Sequence, residues 1–168
     1  EAIGQWADAV AAAGDDYKSI LIKALADRIA EAAAEYVHHQ VRISTWGYEP
    51  PKPVNRASLI AEEYRGIRPA PGYPACPNHL EKRIIWNLLS VEEKTGITLT
   101  DNLAMSPVSS VSGWYFAHPE AQYFNVGQLE RDQIMDLARR YGITVSEMEY
   151  WLQSRLAYEP EAATVALM

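Results

Sequence analysis

The sequence predicts an α+β domain in which long helices pack around a small antiparallel β-sheet, and three stretches carry that prediction. Residues 17–43 contain neither Pro nor Gly and place Leu21, Leu25, Ile29, Ala32, Ala33 and Tyr36 at helical spacing, the pattern of an amphipathic helix. Residues 108–117 and 122–129 are β-rich, and His118-Pro119-Glu120-Ala121 between them reads as a hairpin turn, which centres the sheet on 108–129. Between these halves, residues 65–79 hold four prolines and two glycines in fifteen positions. Such a run is neither helix nor central strand.

Taken in order, residues 3–13 are Ala-rich and helix-compatible up to Gly14, and Asp15 and Asp16 supply an N-cap for the long helix. Opposite its apolar stripe, Lys23, Asp27, Glu31 and Glu35 form an i, i+4 row. A solvated face with a Lys23–Asp27 ion pair explains such a row; a functional role needs a further reason for three stacked carboxylates. Pro50, Pro51 and Pro53 make a loop, and residues 58–64 a short helix stopped by Gly66.

In the central run, Pro69, Pro71, Pro74 and Pro77 fix φ and delete donors, so the path is extended and stiff, with Gly72 free to turn before Tyr73. It presents a guanidinium (Arg68), a phenol (Tyr73), a thiol (Cys76) and an imidazole (His79), groups that can read a small polar ligand. A structural Pro-rich connection is the competing account. As a loop residue, Arg68 is expected to serve binding more than folding. Asn78 then caps a helix carrying Ile84, Ile85, Leu88 and Leu89. Ser90 with Glu93 reads as a capping box closed by Gly96, and Ile97 and Leu99 alternate as a short strand does.

Trp114, Tyr115, Phe116, Tyr123 and Phe124 crowd the expected hairpin, as core packing or as a platform for a flat heterocycle. Residues 130–141 form a helix closed by Gly142, and Thr144 with Glu147 opens another through Met148, Trp151, Leu152 and Leu156. The domain is expected to span 1–157, with 158–168 a flexible tail.

The 168 residues are 48% hydrophobic and 22% charged with net charge −7, which suits one globular domain and opposes nucleic acid or anionic lipid as partner. The single cysteine forms no internal disulfide, and no apolar run is long enough to span a bilayer, so a reducing, cytoplasmic setting is expected. The chain opens inside an amphipathic segment and reads as a piece of something longer. Residues 137–147 imitate a helix-turn-helix reader, but Glu147 and Glu149 would face phosphates. Cys76 with His79, and the adjacent His38-His39, lack the further ligands a zinc site needs. No G-x-G occurs, which excludes a conventional Rossmann turn.

The run Arg65-Gly66-Ile67-Arg68-Pro69-Ala70-Pro71-Gly72-Tyr73-Pro74-Ala75-Cys76-Pro77-Asn78-His79 resembles the signature of the C-terminal activation domain of cobalamin-dependent methionine synthase. The likeness extends back through Lys23-Ala24-Leu25-Ala26-Asp27-Arg28 and Glu31-Ala32-Ala33-Ala34-Glu35-Tyr36, and forward through Val111-Ser112-Gly113-Trp114-Tyr115-Phe116 and Arg131-Asp132-Gln133. The resemblance implies that domain's fold with its N-terminal portion missing, and a role as the S-adenosylmethionine-binding reactivation module of a homocysteine methyltransferase, incomplete in activity by itself. It implies that Arg68, Ala70, Tyr73, Tyr123 and Phe124 hold the ligand, with Glu31 and Glu62 in the pocket. It further implies that Asp27 and Glu31 receive the lower-axial histidine of a cobalamin-binding domain, that a flavoprotein donates the electron, and that zinc belongs to another domain. Asn78, Leu80 and Phe124 depart from the family pattern, and the family's upstream aspartate has no counterpart. A non-catalytic ligand-binding or regulatory module on the same fold is the alternative.

Overall fold

The computed structural model describes residues 2–160. Helix α1 (Ala2–Ala12) and helix α2 (Asp16–Gln40) form an antiparallel pair joined at Gly14. Asp15 caps α2, its carboxylate accepting from Lys18 N at 3.0 Å. The seam is made largely of small residues: Ala7, Ser19 and Ala26 are buried beside Ile22, and short side chains let the two backbones approach. The stripe expected to face the core lies beside this seam, with Leu21, Leu25 and Ile29 exposed at 46%, 55% and 65%. Lys23 pairs with Asp8 of α1 at 2.9 Å rather than with Asp27, because α1 lies within reach of its ammonium. Helix α2 ends in one π-helical turn, Val41–Thr45.

Short helix α3 (Arg56–Ile60) is capped by Asn55, whose Oδ1 accepts from Ala57 N and Ser58 N. After the Pro-rich run come α4 (Glu81–Leu89) and α5 (Val91–Thr95). Ser90 between them lies at φ 50 and its side chain caps nothing: the expected Ser90–Glu93 box does not form, since a residue closing α4 in the left-handed region cannot also present its hydroxyl to α5. Strand β1 (Thr98–Leu99) pairs antiparallel with β2 (Met105–Ser106), Thr98 opposite Ser106 and Leu99 opposite Met105.

The domain is therefore helical with a small antiparallel sheet, but that sheet is not centred on 108–129. That segment forms no hairpin, although it turns at 118–121, where Ala121 N donates to His118 O at 3.1 Å, and residues 114–116 pair instead with the central run. Ile67 and Phe116 exchange both backbone hydrogen bonds at 3.0 Å, and Trp114 N donates to Pro69 O at 3.0 Å. Gly66 and Gly113 permit the approach: a Cβ on Gly66 would stand 2.3 Å from Phe116 O, and one on Gly113 2.8 Å from Pro69 O.

Helices α6 (Arg131–Tyr141) and α7 (Val145–Trp151) close the chain around Gly142 at φ 67. Leu80, Leu103, Leu129, Ile134, Ala138, Met148 and Leu152 form the main core. Helix α7 is committed to it, burying Met148 and Glu149, so it is a packing helix rather than an exposed reading helix. Tyr158, at the start of the expected tail, packs on this core and donates to Glu149 Oε1 at 2.9 Å; residues 161–168 lie outside the described residues. Among the described residues, no helix is long and apolar enough to cross a membrane.

Candidate functional site

The central run builds the site from two local devices. Tyr73 N donates to Ala70 O at 3.3 Å, so Pro71 and Gly72 are the middle residues of a tight turn. Pro at the first middle position and Gly at φ 100 in the second suit a type II turn. His79 fills the space a side chain at 72 would need, 2.4 Å from an ideal Cβ. The second device is the pairing of Ile67 and Pro69 with residues 114–116, which holds the run extended and gives its side chains two faces.

One face meets a cleft of about 880 Å³ whose lining includes Ile67, Pro69, Trp114, Phe116, Tyr123 and Phe124 together with Glu81 and Glu120. Tyr123 is tied to the run, its hydroxyl accepting from Arg68 N at 3.0 Å. The Arg68 side chain leaves by the other face, toward α2. There Nη1 meets Glu35 Oε2 at 2.7 Å and donates to Tyr64 Oη at 3.2 Å and to His38 Nδ1 at 3.3 Å.

Behind Arg68 lies a dense polar cluster. His38 is fully buried, stacked on Tyr115 with ring centroids 4.9 Å apart and edge-on to Tyr64 at 5.2 Å. An arginine nitrogen only donates, so Nδ1 of His38 is the acceptor and Nε2 carries the proton, placed to donate to Tyr48 Oη at 3.2 Å. Burial, then the charges of Arg42 and Arg68, lower the His38 pKa to about 3, so the ring is neutral near pH 7. Arg42 is also buried, its guanidinium 3.7 Å above the Tyr64 ring. Its Nε lies 3.1 Å from Glu49 Oε2 and its Nη1 3.9 Å from Glu35 Oε1, neither aligned as a hydrogen bond.

Of the residues expected at the site, Arg68, Ala70, Tyr73, Tyr123 and Phe124 gather on the run and the segment beside it. Tyr73 and Phe124 are exposed at 62% and 63%. Asp27 and Glu31 sit on the open face of α2, where Asp27 accepts from Ser109 Oγ at 2.6 Å, and Glu62 closes α3 at φ 53. Among the described residues no hydrogen bond or ion pair joins Glu31 or Glu62 to Arg68; Glu35, one turn beyond Glu31, is the acid that does. Glu35, His38 and Arg42 were not expected here, although their i, i+3, i+7 spacing puts three polar groups on one helix face. Cys76 is half-buried and burial raises its thiol pKa, which disfavours the thiolate. Among the described residues no three His, Cys, Asp or Glu side chains converge as a metal site.

Comparison with known proteins bears on this geometry. Residues 2–142 match the family described as the activation domain of vitamin B12 dependent methionine synthase. The chain is similar, with a TM-score of 0.91 and 55% identity, to a crystal structure of the MetH reactivation domain bound to AdoHcy. The match covers 94% of this chain and 48% of that one, so the chain spans about half the length of the protein it resembles. The match runs through both helices of the amino-terminal pair, the central run and its partner segment, and the chain belongs to the activation-domain family of vitamin B12 dependent methionine synthase.

Proposed function

We propose that this chain is the S-adenosylmethionine-binding part of a reactivation module for a cobalamin-dependent homocysteine methyltransferase, acting in the cytoplasm beside a cobalamin-binding domain and a flavoprotein electron donor. The observation that carries the reading is an arginine fork, half-buried against α2 and with two nitrogens that take no hydrogen bond among the described residues, on a run stiffened by Pro69 and Pro71. Arg68 would take the ligand's carboxylate, since its planar donors match a carboxylate edge. Glu31 and Glu62 would balance the ammonium and sulfonium. The Ala70 main chain, between two prolines, would read the adenine edge, with Tyr73, Tyr123 and Phe124 as walls.

The Arg68 side chain points toward α2 while Ile67 and Pro69 line the aromatic cleft, so a ligand touching both would pass around the run. When bound, S-adenosylmethionine supplies the electrophilic methyl by which reduced cobalamin is returned to its methylated form. The chain's own residues bind and orient; methyl delivery needs the sulfonium held in line, which a rigid loop does better than a mobile one. Asp27 and Glu31, exposed one turn apart on α2, would accept a histidine of the cobalamin-binding domain. Titration calorimetry with S-adenosylmethionine tests the reading: saturable binding is expected, and silence from the chain refutes it.

A further inference from the structure

We infer that Glu35 and His38 are positioning residues for Arg68, holding its guanidinium by one terminal nitrogen so that the other edge is presented to a ligand carboxylate. This rests on the ligand reading above and deepens it. Among the described residues, the polar contacts of the Arg68 guanidinium, from Glu35, Tyr64 and His38, all converge on Nη1. Among the described residues Nε and Nη2 take no hydrogen bond, and 22% of the side chain stays exposed. A guanidinium anchored at one corner and open along the opposite edge suits a bidentate partner.

The anchors are themselves fixed. Glu35 projects from the C-terminal part of α2 between two arginines, with Oε2 on Arg68 and Oε1 3.9 Å from Arg42. His38 is clamped by Tyr115, Tyr64 and Tyr48, so its Nδ1 lone pair is aimed at Arg68 by packing. Neutral imidazole is required, because an imidazolium has no acceptor and would repel the guanidinium. A binding group held this way loses less freedom when the ligand arrives.

The test separates this role from ordinary structural support by using two ligands that differ in one group, S-adenosylmethionine and its decarboxylated analogue. Calorimetry is run on the wild-type chain, Glu35→Gln, Arg68→Lys and the double variant. Glu35→Gln is expected to weaken S-adenosylmethionine binding roughly tenfold, as when a charge-assisted contact goes slack, and to leave the decarboxylated analogue unchanged. The double variant is expected to bind no more weakly than Arg68→Lys alone, since both act through one fork.

His38 supplies an independent arm. His38→Asn can offer an oxygen near the Nδ1 position and is expected to keep the preference for the carboxylated ligand; His38→Gln reaches instead toward the Nε2 position and is expected to lose it. If Glu35→Gln does not fold, the His38 pair decides. Equal weakening of both ligands, no weakening, additive losses, or tighter binding by Glu35→Gln would each overturn the inference while the ligand reading stands. Failure of the wild-type chain to bind S-adenosylmethionine overturns both.

Discussion

Replacing Arg68 with Lys keeps a positive charge and removes the fork. In the structure one nitrogen, Nη1, serves Glu35 at 2.7 Å, Tyr64 at 3.2 Å and His38 at 3.3 Å. A lysine ammonium is a point charge, able to stay with Glu35 or turn to a ligand carboxylate but not to hold both along two edges. If it stays, the ligand loses a charge-assisted contact of about 1.5–3 kcal/mol, which weakens binding roughly ten- to a hundredfold. The cost to folding is separate. Two hydrogen bonds from the cationic guanidinium to the uncharged acceptors Tyr64 and His38 are lost, at about 1.5 kcal/mol each, the low end for a charged donor because one nitrogen is shared among three partners, while the pair with Glu35 survives in weaker geometry. Unfolding free energy should therefore drop by about 3 kcal/mol, more than a loop residue would suggest from sequence. Calorimetry with S-adenosylmethionine and urea unfolding on the same sample measure both quantities. Unchanged ligand affinity beside the expected loss of stability would refute the carboxylate role and leave Arg68 a staple between the central run and α2.

The His38 pKa gives a pH dependence with a definite sign. Its folded value of about 3 lies below the ordinary 6.5, so below pH 6.5 the unfolded chain binds a proton that the folded chain refuses. Stability then falls as pH falls, by up to about 1.4 kcal/mol per pH unit from this group. The His38→Asn variant should show a flatter stability profile between pH 6.5 and 5 in urea titrations; equal slopes would mean that the ring is not held neutral. On the open face of α2, Asp27→Asn with Glu31→Gln should leave the thermal midpoint nearly unchanged, because exposed helix charges contribute tenths of a kcal/mol and an amide oxygen still accepts from Ser109. Association with a cobalamin-binding domain, followed by surface plasmon resonance, should weaken; wild-type association would reduce the acidic row to a solvated face.

Local chemistry accounts for most of what was legible in the chain. The Asp15 cap, the Gly142 stop, the short strand at Thr98–Leu99 and the stiff turn at 70–73 all follow from residues within a few positions of each other, where φ preferences and short-range hydrogen bonds decide. Tertiary structure decided which extended segments pair. High β-propensity in 108–129 marks chain that fits an extended, half-buried path and does not name its partner; here two glycines without Cβ admitted the prolyl run instead. It likewise decided which stripe of α2 is buried, since periodicity groups residues on a face without saying what lies opposite it. The site divides in the same way: the sequence by itself determined that an arginine, an alanine and a tyrosine sit on a rigid run, because prolines stiffen a backbone wherever they occur. Only the fold brought Glu35 and His38 of a helix some thirty residues away against Arg68, because burying a guanidinium requires partners whose charge and lone pairs satisfy it, and only long-range packing supplies them.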